Sequence, residues 1–184
     1  ASLPGTRLQV YFLDNEEFFK RKEVFEDSDG ALFDDNIDRM LFFCKSAMET
    51  VKKFGWSPDI VHCHGWMTSL LPAYLKTSYR HEPVFQNAKV VYSVYSSEHI
   101  SKSFAELFRE KATLNQLQDA LDAYETTNGL DLECGAAKYA DGVIENIEYE
   151  PLKAAATSIL AKNDALVDNY FSFYRSLSVA EAVK

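Results

Sequence analysis

Two short runs of apolar residues most constrain what this chain can fold into. Residues 59–64 read DIVHCH and residues 88–95 read AKVVYSVY, with little polar interruption. Strands of this kind are buried on both faces, which is typical of a parallel sheet. Parallel strands need a crossover, and a helix is predicted between the two runs, over residues 66–79, from Leu70, Leu71, Tyr74 and Leu75. The pattern therefore predicts an α/β fold.

Further segments continue the alternation of strands and helices. Two more strands are predicted, over residues 8–13 and 142–146. Further helices are predicted over residues 35–53, 101–125, 129–140 and 150–177. We therefore expect a Rossmann-like parallel sheet with helices on both faces, built from the strands at residues 8–13, 59–64, 89–95 and 142–146.

The sequence predicts one domain and a short tail. Residues 1–150 are expected to form the Rossmann-like domain, and residues 151–184 a helical tail that packs on the same domain. The first strand starts almost at once, without a capped element before it, so we expect a fragment that is incomplete at its N-terminus. Residues 14–34 form a polar loop, but three aromatic residues predict that it packs onto the domain: Phe18, Phe19 and Phe25.

Charge and composition exclude several classes of protein. The formal net charge of -9 disfavours binding to nucleic acid. No apolar run approaches the ~18 residues of a membrane-spanning helix. The cysteines are too few and too widely spaced for a disulfide framework, so we expect reduced thiols in a cytoplasmic protein: Cys44, Cys63 and Cys134. The 7 glycines form no GxGxxG or Walker loop for a nucleotide phosphate.

Polar and aromatic side chains follow the two buried strands where each strand ends. Ligands of open parallel sheets bind beyond the carboxyl ends of the strands. This rule selects two segments. The first contains His64, Gly65 and Trp66, and the second contains Tyr95 and Ser96. Gly65 either lets a ligand approach the backbone or makes a plain strand-to-helix turn. Trp66 either stacks on a sugar or a base or, as we favour, belongs to the core.

Metal binding and nucleophilic catalysis have less support. His62 and His64 lie on the same side of a strand and could chelate zinc with a third ligand. We favour the alternative, a core His62 with satisfied ring nitrogens and His64 at the rim, and predict no metal site. No GxSxG elbow is present, and Cys63 in mid-strand is expected to be an inert buried thiol. The sequence therefore identifies no catalytic residue.

A longer motif resembles a known family. Residues 58–76 read PDIVHCHGWMTSLLPAYLK, which is similar to PDIVHxHDWHTGLLPAYL in the bacterial glycogen synthase and starch synthase family. FDDNIDRMLFF at residues 33–43 resembles the family's FxDNxxRFxxF, and AAKYADGVI at residues 136–144 resembles its AxxYADxVxTVS. The chain looks like a variant branch in which SVYS stands where the usual members have TVHN.

This resemblance implies a fold, an activity and partners. Family members have the GT-B fold, in which two Rossmann-like domains face a cleft, and they transfer glucose from ADP-glucose to an α-1,4-glucan with retention. The chain would be the second half of the N-terminal domain, which supplies the acceptor side. The implied partners are α-glucan, the nucleotide-sugar and a separate C-terminal GT-B domain that holds the nucleotide. ADP-glucose is a substrate, and no cofactor is implied.

The same resemblance implies five substrate-binding residues and shows where the chain departs from the family. His64 and Trp66 are retained, whereas the family's donor-contacting Asp corresponds to Gly65. The active-site His and the following Asn correspond to Tyr95 and Ser96. The Lys-Thr-Gly-Gly donor loop is expected upstream of the chain. Two hypotheses follow: a retaining glucosyltransferase domain that is inactive as an isolated fragment, or a non-catalytic glucan-binding or regulatory relic.

Overall fold

The described part of the chain contains six strands and nine α-helices. The structure is a computed structural model and describes residue 2 and residues 4–95, 98–161 and 167–179. The strands are β1 (Ile60–His64), β2 (Lys89–Val94), β3 (Glu125–Thr126), β4 (Gly129–Leu130), β5 (Gly142–Glu145) and β6 (Ile159–Leu160). The helices are α1 (Glu16–Phe19), α2 (Asn36–Phe54), α3 (Leu71–Lys76), α4 (Glu98–Phe104), α5 (Phe108–Leu114), α6 (Leu121–Tyr124), α7 (Leu132–Tyr139), α8 (Leu152–Ala155) and α9 (Val167–Val179).

Four strands form one parallel sheet in the order β1-β2-β5-β6. Cys63 of β1 lies opposite Tyr92 of β2, and Tyr92 lies opposite Val143 of β5. At least one helix lies in each connection between paired neighbours, as parallel strands require. The chain is an α/β protein, and the parallel strands predicted from the sequence are confirmed at residues 59–64, 89–95 and 142–146.

Two expectations about the sheet are wrong. Residues 8–13 form no strand of it, because Gln9 makes only an isolated antiparallel bridge with Ser2 and Phe12 is 79% exposed. An alternating pattern gives a stable strand only where a neighbouring strand and a core cover it. The tail is helical in α8 and α9, but it is not one continuous helix, since β6 lies between them and pairs with β5. The boundary at residue 150 stays a prediction.

Helix α2 ends at a left-handed glycine and begins without a side-chain cap. Gly55 adopts a left-handed conformation with φ 68°, and its N–H donates to the carbonyl of Val51 at 3.1 Å. Asp35 precedes the helix, yet its side chain makes no capping hydrogen bond. Its carboxylate instead accepts from the Arg21 guanidinium, with Nη1 to Oδ1 at 2.7 Å, and this interaction lowers the pKa of Asp35.

The three other predicted helices of the domain are shorter than expected. Residues 66–79 contain a single 3-10 turn, Trp66–Thr68, followed by α3. Residues 101–125 are divided among α4, α5 and α6, and Gln116 takes a positive φ of 68° in the turn after α5. Helix α7 begins at Leu132, because the residues before it form the antiparallel β3–β4 hairpin and Asp131 caps it.

Side chains alternate between the two faces of the sheet. One face, here the thick face, packs against α2, α3 and α7 through Cys63, Val90, Tyr92, Val94 and Val143. The opposite, thin face carries His62, Val91, Ser93, Gly142 and Ile144 and is covered by α9 through Phe173 and Leu177. Within the described residues, no helix is long and apolar enough to cross a membrane.

Candidate functional site

A cavity of about 620 Å³ opens beyond the carboxyl ends of β1 and β2. Its lining includes four of the five residues that the sequence predicts for the site: His64, Gly65, Trp66 and Tyr95. The fifth, Ser96, lies outside the described residues. This space is called the His64 cavity below. It brings together the ends of β1 and β2, where His64 and Tyr95 are 31 residues apart in sequence.

Gly65 turns the chain sharply between β1 and the 3-10 turn. Its φ of 68° and ψ of 179° are strained for a residue with a side chain, and its N–H donates to the Ser93 carbonyl at 3.2 Å. A Cβ atom at position 65 would lie 3.6 Å from Cδ2 of Tyr95. A side chain at position 65 would therefore begin in ordinary van der Waals contact with the Tyr95 ring.

His64 and Tyr95 form the polar rim of the His64 cavity. Nδ1 of His64 lies 3.3 Å from the Tyr95 hydroxyl, and Tyr95 is 41% exposed. Partial burial lowers the pKa of His64. Partial burial also raises the pKa of Tyr95, and nearby Tyr170 contributes to this rise. Both side chains are therefore neutral near pH 7, and each can donate or accept a hydrogen bond.

Trp66 belongs to the core, as favoured from the sequence. It is only 7% exposed and lies between Phe25 and Phe104, at ring-centroid distances of 4.9 and 5.7 Å. Such edge-to-face contacts fix an aromatic side chain in place. Trp66 therefore offers the cavity little surface, and the role of a sugar-stacking platform for this residue stays a prediction.

His62 is a core histidine whose two ring nitrogens are both satisfied, as favoured from the sequence. Nε2 lies 2.8 Å from the Ser93 hydroxyl and Nδ1 lies 2.7 Å from the Tyr174 hydroxyl of α9. Burial and the neighbouring His64 ring, at a centroid distance of 4.0 Å, lower the pKa of His62 to about 4. In the described part of the chain, no group of three or more His, Cys, Asp or Glu side chains could hold a metal ion.

The cysteines are free and buried, and Cys63 lies on the thick face. Burial raises the pKa of Cys44 to about 12 and that of Cys63 further. A thiol that stays protonated is a poor nucleophile. The predicted burial of Cys63 is therefore confirmed, and its inertness stays a prediction.

The loop at residues 23–27 forms one wall of the His64 cavity. The sequence did not predict this wall. The loop contributes three acidic residues to the lining, Glu23, Glu26 and Asp27, and Oδ1 of Asp27 accepts from the N–H groups of Asp29 and Ala31 at 2.9 Å each. Phe25 anchors the loop by its contact with Trp66. The predicted packing of residues 14–34 is thus confirmed, and the aromatic residues of that segment were the available signal. Among the described residues that line the His64 cavity, no lysine or arginine offsets the three carboxylates.

Comparison with known proteins identifies the family. Residues 1–146 match the family described as the starch synthase catalytic domain. The chain belongs to the starch synthase catalytic domain family. Glycogen synthases of Chlorobium limicola and Chlorobium luteolum are 41% and 40% identical to it over 97 and 98 residues. These matches cover 52% and 53% of this chain and 20% of each relative, so the chain spans about a fifth of the length of the curated relatives it matches.

One solved structure similar to this family member is the catalytic domain of starch synthase IV from Arabidopsis thaliana, bound to ADP and acarbose. It has 19% sequence identity and a TM-score of 0.48. The similarity covers 70% of this chain and 25% of that chain.

Proposed function

We propose that this chain supplies the glucan-binding half of a site that transfers glucose from ADP-glucose to an α-1,4-glucan. The observation that carries the proposal is the His64 cavity, where neutral hydrogen-bonding groups and an exposed aromatic ring meet at the edge of the sheet used by ligands. Membership of the starch synthase catalytic domain family supports the choice of a saccharide. His64, Gly65, Trp66, Tyr95 and Ser96 are the proposed substrate-binding residues.

The charge of the His64 cavity favours the glucan over the nucleotide-sugar. A glucan is uncharged and rich in hydroxyl groups, whereas ADP-glucose carries an anionic diphosphate. The three acidic residues of the loop at residues 23–27 disfavour that anion. Glu23 and Glu26 can accept hydrogen bonds from sugar hydroxyls, whereas Oδ1 of Asp27 already accepts from two backbone N–H groups. His64 and Tyr95 can exchange further hydrogen bonds with the sugar, and the exposed Tyr95 ring offers it an apolar surface.

The proposed reaction needs cationic groups, and the described lining of this cavity contains no lysine or arginine. Retaining transfer breaks the C1–O bond between glucose and the diphosphate and forms a bond from C1 to the glucan 4-oxygen on the same face. The proton of that hydroxyl passes to the leaving diphosphate. Positive charge develops on the sugar and negative charge on the leaving diphosphate. The carboxylates suit the first charge only. We therefore assign the diphosphate to a separate C-terminal GT-B domain and propose no cofactor and no metal.

The two departures from the family pattern act together in this proposal. The Cβ of an aspartate at position 65 would lie in ordinary contact with the Tyr95 ring, 3.6 Å from Cδ2, so the two positions are neighbours. With Gly65 and Tyr95, the chain lacks the family's donor-contacting carboxylate and the active-site imidazole that follows the second strand. A polar donor contact contributes about 3 kcal/mol to transition-state stabilisation, or roughly 10²-fold in rate. The cavity is thus suited to holding an acceptor rather than to activating a donor.

Titration calorimetry and a transfer assay on the 184-residue chain test the proposal. We expect measurable binding of maltoheptaose, no binding of ADP-glucose and no transfer of glucose. Tyr95→Ala should weaken maltoheptaose binding about tenfold, because it removes both an aromatic contact and a hydrogen-bonding hydroxyl. Phe12→Ala is the matched control, since Phe12 is a highly exposed aromatic residue outside the cavity.

Three outcomes would contradict the proposal. Turnover by this chain alone would mean that donor activation is built from its own groups. Loss of binding in Phe12→Ala equal to that in Tyr95→Ala would indicate nonspecific contact with exposed aromatic rings. Absence of maltoheptaose binding would remove the glucan-binding role altogether. Binding of glucan by the full-length parent protein, without transfer from either ADP-glucose or UDP-glucose, would favour the non-catalytic relic.

A further inference from the structure

A second cavity, of about 640 Å³, lies beside the His64 cavity. Its walls are the end of α4, the β3–β4 hairpin, the beginning of α7 and part of the segment after β5. It is called the hairpin cavity below. Among the described residues, Tyr95 alone lines both cavities. The Tyr95 side chain is therefore a shared wall, and an extended ligand that passes over it would contact both spaces.

The walls of the hairpin cavity are held by hydrogen bonds within the protein. The Tyr149 hydroxyl donates to Oδ2 of Asp131 at 2.6 Å, and Oδ1 of Asp131 accepts from the Cys134 N–H at 2.9 Å, which caps α7. Across the hairpin turn, the Thr126 hydroxyl donates to the Gly129 carbonyl at 2.8 Å. A site that is formed before the ligand arrives loses less conformational entropy on binding.

The chemistry of the hairpin cavity matches a neutral, hydroxyl-rich ligand. Asn128 lies exposed at the turn of the hairpin, and its side-chain amide makes no hydrogen bond to a described residue, so it can donate to and accept from a ligand. The lining contains one lysine and three acidic residues, of which Glu133 is buried: Lys102, Asp131, Glu133 and Glu148. This excess of negative charge disfavours a diphosphate. Tyr95 and Tyr149 add aromatic surface.

We propose that the hairpin cavity binds additional glucosyl units of the same α-glucan whose end lies in the His64 cavity. This inference rests on the proposed function and extends it, because it makes the chain a reader of glucan length. Tyr95 lies between the two cavities, and Asn128 contacts only a glucan that is long enough to reach the hairpin cavity. Four residues of the hairpin cavity lie after residue 146, where the match to the family ends: Ile147, Glu148, Tyr149 and Pro151.

Calorimetric titration of the 184-residue chain with maltotriose and with maltoheptaose tests the inference. Wild-type protein should bind maltoheptaose about tenfold more tightly than maltotriose, since the longer saccharide reaches the second cavity. Asn128→Ala should weaken maltoheptaose binding about fivefold, the effect of one lost hydrogen bond, and leave maltotriose binding unchanged. Tyr95→Ala should weaken both. Asn87→Ala is the matched control, because Asn87 is an exposed turn residue that lines neither cavity.

The outcomes separate this inference from the function on which it rests. Equal affinities for the two saccharides, or equal losses for both in Asn128→Ala, would overturn the hairpin subsites while leaving glucan binding intact. No binding of either saccharide would instead overturn the proposed function. Competition by ADP that disappears in Asn128→Ala would assign the hairpin cavity to a nucleotide and also overturn the inference.

Discussion

The thick and thin faces of the sheet are covered by different amounts of structure. On the thick face Cys63, Tyr92 and Val143 are almost completely buried beneath α2, α3 and α7. The thin face is covered in the described part of the chain by α9 alone, whose Phe173 and Leu177 remain slightly exposed. The thick face thus depends on apolar burial distributed over several elements. The thin face depends on the placement of one helix.

Two side chains of the candidate site, His64 and Tyr95, follow the thin face. His64 and Tyr95 occupy the positions in their segments that alternation places with His62 and Ser93. The site is therefore supported from one side by the rigid thick face and adjoins a face that a single helix stabilises. Binding regions are often drawn from the less stable parts of a domain. We expect perturbations of the thick face to unfold the chain and perturbations of the thin face to release α9.

Two glycines give the strongest test of this comparison. A Cβ atom at Gly135 of α7 would lie 2.0 Å from Tyr124 Cδ1, whereas one at Gly142 of β5 would lie 2.7 Å from Phe173 Cζ. Tyr124 is 1% exposed and its hydroxyl donates to the Ser69 carbonyl at 2.9 Å, so its ring cannot move aside. Gly135→Ala should lower the free energy of unfolding by about 3 kcal/mol or more, and Gly142→Ala by about 1–2 kcal/mol.

Urea unfolding, followed by tryptophan fluorescence, measures both changes. Alanine is favoured over glycine in a helix by about 1 kcal/mol, so local propensity alone would make Gly135→Ala stabilising. A stabilised Gly135→Ala variant would show that the helix and Tyr124 can separate at little cost. Limited proteolysis distinguishes the faces, since Gly142→Ala should expose α9 to cleavage before the rest of the chain. Equal losses in the two variants would remove the distinction between the faces.

The two faces also differ in how far the sequence predicts them. The strands β1, β2 and β5 are predictable because each carries apolar residues on both faces, a local property. The β6 strand has only two residues, Ile159 and Leu160, which are too few to show a period. Residues 8–13 have the period but lack a paired strand, so the pattern there is misleading. The cover of the thin face depends on α9, which the sequence predicts as a helix without indicating what it covers.

The sequence also predicts only part of the candidate site. The rule for parallel sheets places His64, Gly65 and Tyr95 at one edge because the strand ends are local features. The loop at residues 23–27 reaches the same edge through the contact between Phe25 and Trp66, which no local pattern specifies. The contact between His62 and Tyr174 joins residues 112 apart in sequence. From the sequence alone, His62 and Tyr174 could each form a hydrogen bond with many other residues, so this pair is not predictable.

The pH dependence of stability is expected to come in part from the thin face. The pKa of His62 is lowered from 6.5 to about 4, first by burial and then by His64. Below about pH 6.5 the unfolded chain takes up a proton that the folded chain does not, so stability falls as the pH is lowered from about 6.5 to 4. Because the ring is only partly buried, solvent screening reduces this loss to about 1–2 kcal/mol.

Urea unfolding at several pH values between 4 and 8 checks this expectation. Carboxylates also titrate at the lower end of the range, so the contribution of His62 is the difference between wild type and His62→Gln. The variant should lose stability less steeply with falling pH than wild type does. His81→Gln, at an exposed histidine outside the sheet, controls for the loss of an imidazole. Parallel pH profiles for wild type and His62→Gln would mean that His62 takes up its proton without unfolding the thin face.

The smallest expected effect tests a hydrogen bond between α9 and the sheet, from Tyr174 to His62. Tyr174→Phe removes the hydroxyl that lies 2.7 Å from Nδ1 of His62 and leaves that partly buried nitrogen without its partner. The free energy of unfolding should fall by about 1 kcal/mol. Tyr139→Phe is the matched control, because its hydroxyl makes only a long, 3.4 Å contact with the Asp119 carbonyl, and its loss should be about 0.3 kcal/mol or less. Hydrogen exchange of α9 should accelerate in Tyr174→Phe and remain unchanged in α2. Acceleration of both helices to the same degree would mean that α9 and the thick face unfold as one unit.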